Sequence, residues 1–108
     1  MAGAYLVVRA CVDPAVMNEF VCWYKQEHLP NVMAIPGIVK AFRSTSRGDC
    51  NWTTVYEIDD NVALGQVLTS QEAAVARQDW SRWVEHVSDL SISVYAPVIP
   101  LHAFHRWN

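Results

Sequence analysis

The chain has 108 residues, 52% of them hydrophobic and 18% charged, and its formal net charge is −3. This composition indicates a folded protein, and the length predicts a single domain over residues 1–108. The eight Lys and Arg residues form no basic stripe, so the sequence disfavours nucleic-acid binding. The apolar runs are too short to span a membrane. A small apolar chain with five tryptophans favours a homo-oligomer that covers part of its surface.

The N-terminal stretch and the cysteines bear on the cellular compartment. The stretch "MAGAYLVVRACVD" lacks a charged leader and continues into a strand-like pattern, so we expect no secretion signal and a cytoplasmic location. Cys11, Cys22 and Cys50 are odd in number and show no C-x-x-C spacing. We expect reduced, mostly buried thiols rather than a disulfide or a zinc site.

A strand and a helix are predicted first. The segment "AYLVVRACV", residues 4–12, is apolar on nearly both faces and predicts a strand covered on both sides. Asp13 is expected to cap the following helix, with Pro14 in its first turn. The helix is expected to end near Leu29, because Pro30 disfavours a helical backbone in the preceding residue. Its inward stripe contains Met17, Phe20, Val21, Tyr24 and His28.

The rest of the chain predicts two strands, helical segments and a last strand. The motif "IPG" is expected to turn the chain, and "SRGDCN" is typical of a hairpin turn. The motif "TSQE" resembles a capping box with Thr69 as the cap. The expected elements are strands at about 38–45 and 52–58, a short helical piece from Asp59 or Asp60 to about Leu68, a helix to about Val87, and a strand from about Leu90 to Val98.

The order of these elements, βαββαβ, predicts an α+β fold of the ferredoxin-like type. In that fold four antiparallel strands form one sheet, and the helices cover one of its faces. The other face would leave apolar side chains in water unless a second sheet packed on it.

The segment "WYKQEHLPNVMAIPGIVKAFRS" resembles the W-Y-x-x-E-H-x-P…P-G…A-R segment of EthD-like members of the dimeric α/β-barrel superfamily. "TTVYEIDD" and "SQEAAVARQDWSRW" are similar to later segments of that family. The resemblance implies a homodimer whose two sheets form a shared barrel, with a pocket between sheet and helices in each subunit. Such relatives include cofactor-free cyclases, lactone isomerases, cofactor-independent monooxygenases and haem enzymes, so the fold does not determine the reaction.

His28 and Tyr24 are the candidate catalytic residues, because both belong to the inward stripe of the first helix. An inward imidazole can exchange a proton near neutral pH, and the phenol one turn earlier can orient a substrate oxygen. Two interpretations of His28 stay open: an acid–base group, or a core histidine that anchors the end of the helix. For Tyr24 the alternative is a large apolar filler.

Further residues are candidates for substrate binding. Asn31 can contact a ligand or cap the next turn. Arg9 lies mid-strand among apolar neighbours, so we expect it to be buried and paired, either with Glu57 or with a substrate carboxylate. The aromatic residues expected to wall a pocket or to fill the core are Tyr56, Trp80 and Trp83.

No cofactor and no metal are expected. The pair His102 and His105 in "HAFH" lacks companion ligands, and nothing besides His28 as an axial ligand favours haem. The leading hypothesis is a cofactor-free isomerase, cyclase or lyase on a small apolar or aromatic carbonyl compound. The alternatives are a cofactor-independent or haem-linked monooxygenase and a non-catalytic metabolite-binding or accessory protein.

Overall fold

A computed structural model describes residues 4–44 and 50–95. The strands within them are β1 (Ala4–Val12), β2 (Ile38–Ser44), β3 (Trp52–Ile58) and β4 (Val87–Tyr95). They form one antiparallel sheet in the order β2-β3-β1-β4. The predicted α+β fold of the ferredoxin-like type is therefore confirmed. The "HAFH" histidines, Val98 and most of the predicted hairpin turn lie outside the described residues.

Two helical regions connect the strands. As predicted, Asp13 caps the first, and its carboxylate accepts a hydrogen bond from the Ala15 N–H at 3.0 Å. Ser70, and not Thr69, caps the helix that begins at Gln71, because the Ser70 hydroxyl accepts the Ala73 N–H while the Thr69 hydroxyl donates to the Gly65 carbonyl. The segments are a 3₁₀ turn (Pro14–Val16), α1 (Met17–Trp23), a π-helical turn (Tyr24–His28), α2 (Leu29–Met33), α3 (Leu64–Thr69), α4 (Gln71–Asp79) and a 3₁₀ turn (Trp80–Trp83).

The first helical region continues past Pro30, so the predicted end near Leu29 is wrong. A π-helical turn replaces one α-helical turn here, and the Leu29 N–H bonds to the Tyr24 carbonyl five residues earlier. Pro30 directly follows the π-turn and lies in the first turn of α2. Tyr24 and His28, at the two ends of this turn, are both buried.

The second helical region ends earlier than predicted. Trp83 is its last helical residue, and Val87 already belongs to β4, where it pairs with Val12. The Asp13 N–H bonds to the His86 carbonyl at 2.8 Å and joins this turn to the end of β1. Strand pairing therefore overrides the helical periodicity that placed Val87 in a helix. None of the helices in the described segments has the length and apolarity needed to cross a bilayer.

An aromatic cluster forms the centre of the core between helices and sheet. Phe20 is fully buried, and its ring centroid lies 4.8–6.1 Å from five other aromatic rings. Offset and edge-to-face ring pairs of this kind are favourable beyond their buried area. The five rings belong to Trp23, Tyr24, Trp52, Trp80 and Trp83.

A disulfide joins Cys11 to Cys50, so the prediction of reduced thiols is wrong for these two residues. Antiparallel pairing of β1 and β3 brings the two Cα atoms to 4.3 Å, although 39 positions separate them in sequence. Cys22 is free but exposed, not buried as predicted. Disulfides persist mainly in oxidising compartments, so this bond weighs against the expectation of a cytoplasmic location.

Replacing Cys11 and Cys50 together with alanine should lower the free energy of unfolding by about 2–4 kcal/mol, because the disulfide restricts the unfolded chain. Urea unfolding under non-reducing conditions measures the change. The exposed Cys22→Ser is the control and should shift stability by less than about 0.5 kcal/mol. Thiol titration of the unfolded, non-reduced protein should detect Cys22 alone. Detection of all three thiols would show that the disulfide does not form.

Candidate functional site

A cavity of about 100 Å³ lies between the helices and the sheet, and we call it the His28 cavity. Nearly all of its lining is apolar, and the lining residues that carry a polar side-chain group are His28, Tyr56, Arg77 and Trp80. Such a lining suits a small, largely apolar ligand. The residues around it are Leu6, His28, Val32, Ile35, Ile38, Tyr56, Val67, Leu68, Ala73, Ala76, Arg77, Trp80 and Ile92.

His28 forms a hydrogen-bonded pair with Asp79. The ring nitrogen Nδ1 lies 3.0 Å from Asp79 Oδ2, and His28 is only 3% exposed. Asn31 donates its Nδ2–H to the same oxygen at 2.9 Å. The carboxylate at the end of α4 is therefore fixed by two side chains from the other helical region.

This network determines which nitrogen of His28 carries the proton. Asp79 Oδ2 already accepts from Asn31, and a carboxylate oxygen has only lone pairs to offer. His28 must therefore donate through Nδ1–H. In the neutral ring the lone pair is then on Nε2, which has no hydrogen-bond partner among the described residues. Since His28 lines the cavity, Nε2 is the atom available to a ligand.

Three aromatic rings hold the imidazole in place. Trp23 stacks on it with the centroids 5.0 Å apart and the planes 13° from parallel. Tyr24 and Trp80 meet it edge-on at 5.0 and 5.3 Å. The stacking and the Asp79 bond together fix the ring orientation, and a fixed orientation is what proton transfer requires.

Burial lowers the pKa of His28 from its ordinary value of 6.5, and the hydrogen bond and negative charge of Asp79 oppose this shift only in part. Desolvation penalises the imidazolium more than the carboxylate stabilises it. His28 is therefore neutral at pH 7 and has the protonation state of a general base.

The lowered pKa predicts how stability depends on pH. Above pH 6.5 both folded and unfolded His28 are neutral, and the contribution of His28 to stability is fully present. As pH falls below 6.5, His28 of the unfolded chain binds a proton before His28 of the folded chain does. The free energy of unfolding therefore decreases until the pH is below the pKa of folded His28. Urea unfolding from pH 8 to 5 should show a steeper loss in the wild type than in His28→Gln. If the free energies of unfolding of the two proteins changed in parallel with pH, the lowered pKa of His28 would be contradicted.

The structure brings together some of the predicted site residues. Trp80 and Tyr56 line the His28 cavity. Asn31 fixes Asp79 instead of lining the cavity. Tyr24 touches the His28 ring but lines a different cavity. Trp83 is buried in the aromatic cluster and lines neither of these cavities.

Arg9 is not placed as predicted. It is exposed, pairs in the sheet with Thr53 and Ser91, and alternates with the helix-facing residues of β1. Its side chain therefore lies on the outer face of the sheet, opposite the His28 cavity. Glu57 instead accepts a hydrogen bond from Tyr5 at 3.3 Å. The expectation of a buried arginine paired with Glu57 is wrong, because the outer face is uncovered in the described chain.

Asp79 is the functional residue that the sequence interpretation missed. It lies 51 positions from His28, so no local motif connects them. One signal was present: Asp79 falls three residues after Ala76 and four before Trp83, which places it on the inward stripe of the second helical region. An acidic residue on a buried stripe needs a partner.

A second cavity of about 120 Å³ lies beside β2, and we call it the β2 cavity. Burial raises the pKa of Tyr24 to about 12, so this phenol is a hydrogen-bond donor at ordinary pH. The nearby Thr54 hydroxyl offsets the rise in part, although neither hydroxyl has a partner at full hydrogen-bond geometry. The residues around the cavity are Tyr24, Lys25, Leu29, Ala41, Phe42, Arg43, Trp52, Thr54 and Tyr56.

Groups that would hold a cofactor or metal are sparse in residues 4–44 and 50–95. A carboxylate of Asp89 lies near the sulfurs of Cys11 and Cys50, but the disulfide occupies those sulfurs. The His28 cavity, at about 100 Å³, is too small for a haem macrocycle. These residues therefore fit neither haem at His28 nor a metal at the disulfide.

Neither a protein-family profile nor a curated protein sequence matches the chain. Similar solved structures include an EthD-family protein from Bacillus halodurans C-125, with a TM-score of 0.69 at 16% identity, covering 89% of this chain and 99% of that chain. The cofactor-independent oxygenase SnoaB from Streptomyces nogalater has a TM-score of 0.59 at 14% identity, and the match covers 94% of this chain and 98% of that chain. A dimeric ferredoxin-like protein from Thermobifida fusca has a TM-score of 0.58 at 13% identity, and the match covers 88% of this chain and 91% of that chain. The resemblance to EthD-like proteins is thus confirmed in the fold: the chain has the ferredoxin-like α+β architecture that these proteins share.

Proposed function

We propose that the chain is a small-molecule enzyme that uses His28 as a general base, without a cofactor, on a small apolar or aromatic carbonyl compound. The observation that carries this proposal is the buried His28–Asp79 pair, whose second ring nitrogen is left to an apolar cavity. Asn31 additionally fixes the Asp79 carboxylate, as a positioned acid–base pair requires.

In the proposed reaction, Nε2 of His28 takes a proton from a carbon next to the substrate carbonyl. The C–H bond breaks, its electron pair moves into an enolate, and the new N–H bond makes an imidazolium that Asp79 stabilises. Returning the proton to another carbon gives isomerisation, attack of the enolate on a second carbonyl gives cyclisation, and loss of a leaving group gives elimination. Positioned proton transfer of this kind accelerates reactions by about 10²–10⁴-fold.

A cofactor-independent monooxygenase is the second candidate. It is supported by the fold shared with SnoaB, which is described as a cofactor-independent oxygenase, and by the aromatic wall that Trp80 and Tyr56 give the cavity. The first step would be the same. The anion would then add O₂ to form a substrate hydroperoxide at a carbon that still carries one hydrogen. Loss of that hydrogen as a proton breaks the O–O bond, so the CH₂ group becomes a carbonyl, the substrate supplies all four electrons, and the second oxygen atom leaves as water.

One experiment separates these candidates. Lactones, polyketide-like phenols and quinols are incubated with the protein in ²H₂O, under argon and in air, and followed by NMR and an oxygen electrode. Deuterium uptake or rearrangement under argon that is lost in His28→Gln supports the acid–base enzyme, and His28-dependent oxygen uptake supports the monooxygenase. His86→Gln, at a half-exposed histidine outside the cavity, is the matched control. Binding without any turnover would indicate a metabolite-binding protein.

We also propose that the enzyme is a homodimer joined through the outer face of its sheet. Val7 and Val55 pair at the centre of this face, and Tyr95 at its edge is exposed. The shared fold with a dimeric ferredoxin-like protein supports this. In light scattering, Val7→Lys should halve the mass of the particle, because a charge would be buried in the interface. Val84→Lys, at a position 72% exposed in a turn, should keep it. A monomeric wild type would overturn the proposal.

A further inference from the structure

Behind the wall of the β2 cavity lie buried side-chain polar atoms that lack hydrogen bonds. In the described part of the chain, four such atoms belong to residues that line this cavity. Because unpaired buried polar groups are rare in folded proteins, four of them beside one cavity point to a partner from outside the protein. The four atoms are Tyr24 Oη, Trp52 Nε1, Thr54 Oγ1 and Tyr56 Oη.

Two cations also border this cavity, and no acidic residue does. Lys25 and Arg43 are exposed, and neither forms a salt bridge within residues 4–44 and 50–95. The Arg43 guanidinium carbon lies 4.3 Å from the centre of the Trp52 ring. This cation–π contact keeps the positive charge over a wall of the cavity. The charge here therefore favours an anion.

We propose that the β2 cavity binds the carboxylate of a small organic acid. The buried hydroxyls would donate to the carboxylate oxygens, and Arg43 and Lys25 would neutralise the charge. Leu29 and Ala41 would contact the hydrocarbon part of the acid. A phosphate dianion fits less well, because most of the donors are neutral and the only cations are at the exposed rim.

This site is separate from the His28 chemistry. Of its lining residues, only Tyr56 also borders the His28 cavity. The proposal therefore does not depend on the proposed function. It adds a binding site for a carboxylate on the β2 side of the helix.

Benzoate is the probe, and benzamide is its uncharged counterpart of similar shape. Benzoate should quench tryptophan fluorescence saturably, because Trp52 lines the site, and should raise the melting temperature by mass action. Benzamide should bind at least about tenfold more weakly, since it lacks the charge that Arg43 and Lys25 recognise. Equal binding of the two compounds, or no saturable binding of benzoate, would overturn the proposal.

Two variants test the residues. Thr54→Val keeps the shape and removes a hydroxyl, and Arg43→Gln removes a charge; each should weaken benzoate binding about tenfold. Arg82→Gln removes an exposed cation that lines neither cavity and should leave the affinity unchanged. Without benzoate, Thr54→Val should be as stable as the wild type, because it removes an unpaired buried group. If Thr54→Val does not fold, Arg43→Gln at its exposed position decides. Wild-type affinity in Arg43→Gln would overturn the proposal.

Discussion

His28→Gln should lower kcat for a substrate of the His28 cavity by about 10²–10⁴-fold, the range expected for loss of a general base. Glutamine can still hydrogen-bond to Asp79 and fill part of the volume, so the variant removes the titratable group without emptying the site. The measurement is kcat and KM for the compound that exchanges deuterium or takes up oxygen, with circular dichroism to show that the variant folds. Unchanged kcat in a folded variant would make His28 structural.

Asp79→Asn provides a matched test of how His28 is positioned. The amide can donate to Nδ1 and so place the imidazole proton on Nε2, where it blocks base catalysis. We expect a loss of kcat with little change in KM, and an altered pH–rate profile. A purely structural role for Asp79 would lower the melting temperature while leaving that profile unchanged.

Phe20→Ala should lower the free energy of unfolding by about 3–5 kcal/mol. Phe20 is 0% exposed and touches five aromatic rings, so truncation opens a cavity that rigid rings cannot fill. This is a large share of the roughly 5–15 kcal/mol that stabilises a typical domain. Urea unfolding at fixed protein concentration measures it.

Phe42→Ala is the control for the core prediction. Phe42 is 48% exposed on an edge strand, so the same truncation removes little buried area, and we expect a loss of less than about 1 kcal/mol. Similar losses in the two variants would mean that the aromatic cluster does not form the centre of the core.

The fold was predictable because its signals are local. The apolar run at residues 4–12 gave the position of β1, and the inward stripe of the first helix correctly placed Phe20, Tyr24 and His28. The end of that helix was missed, because a π-turn depends on how the whole helix packs and not on the residue before Pro30.

The candidate site was predictable only in part, because its contacts are long-range. His28 was identified from its stripe. Its hydrogen bond to Asp79, however, spans 51 positions of the sequence, and the Cys11–Cys50 disulfide spans 39. Only the packing of helices and the pairing of strands bring such residues together. The side of the sheet on which Arg9 lies follows from strand register, which hydrophobicity defines poorly when both faces are apolar.

The π-turn at Tyr24–His28 also bears on how the length of this chain can vary. A π-turn is an α-helical turn that holds one extra residue, so deleting an exposed residue within it, such as Gln26, can restore the α-helix without rotating its two ends against each other. The same deletion in α1 would rotate everything before it by about 100° relative to everything after it, and would move Phe20 out of the core or His28 away from Asp79. Among functional relatives, a one-residue difference in length should therefore be tolerated at this turn and excluded from the α-helical turn before it.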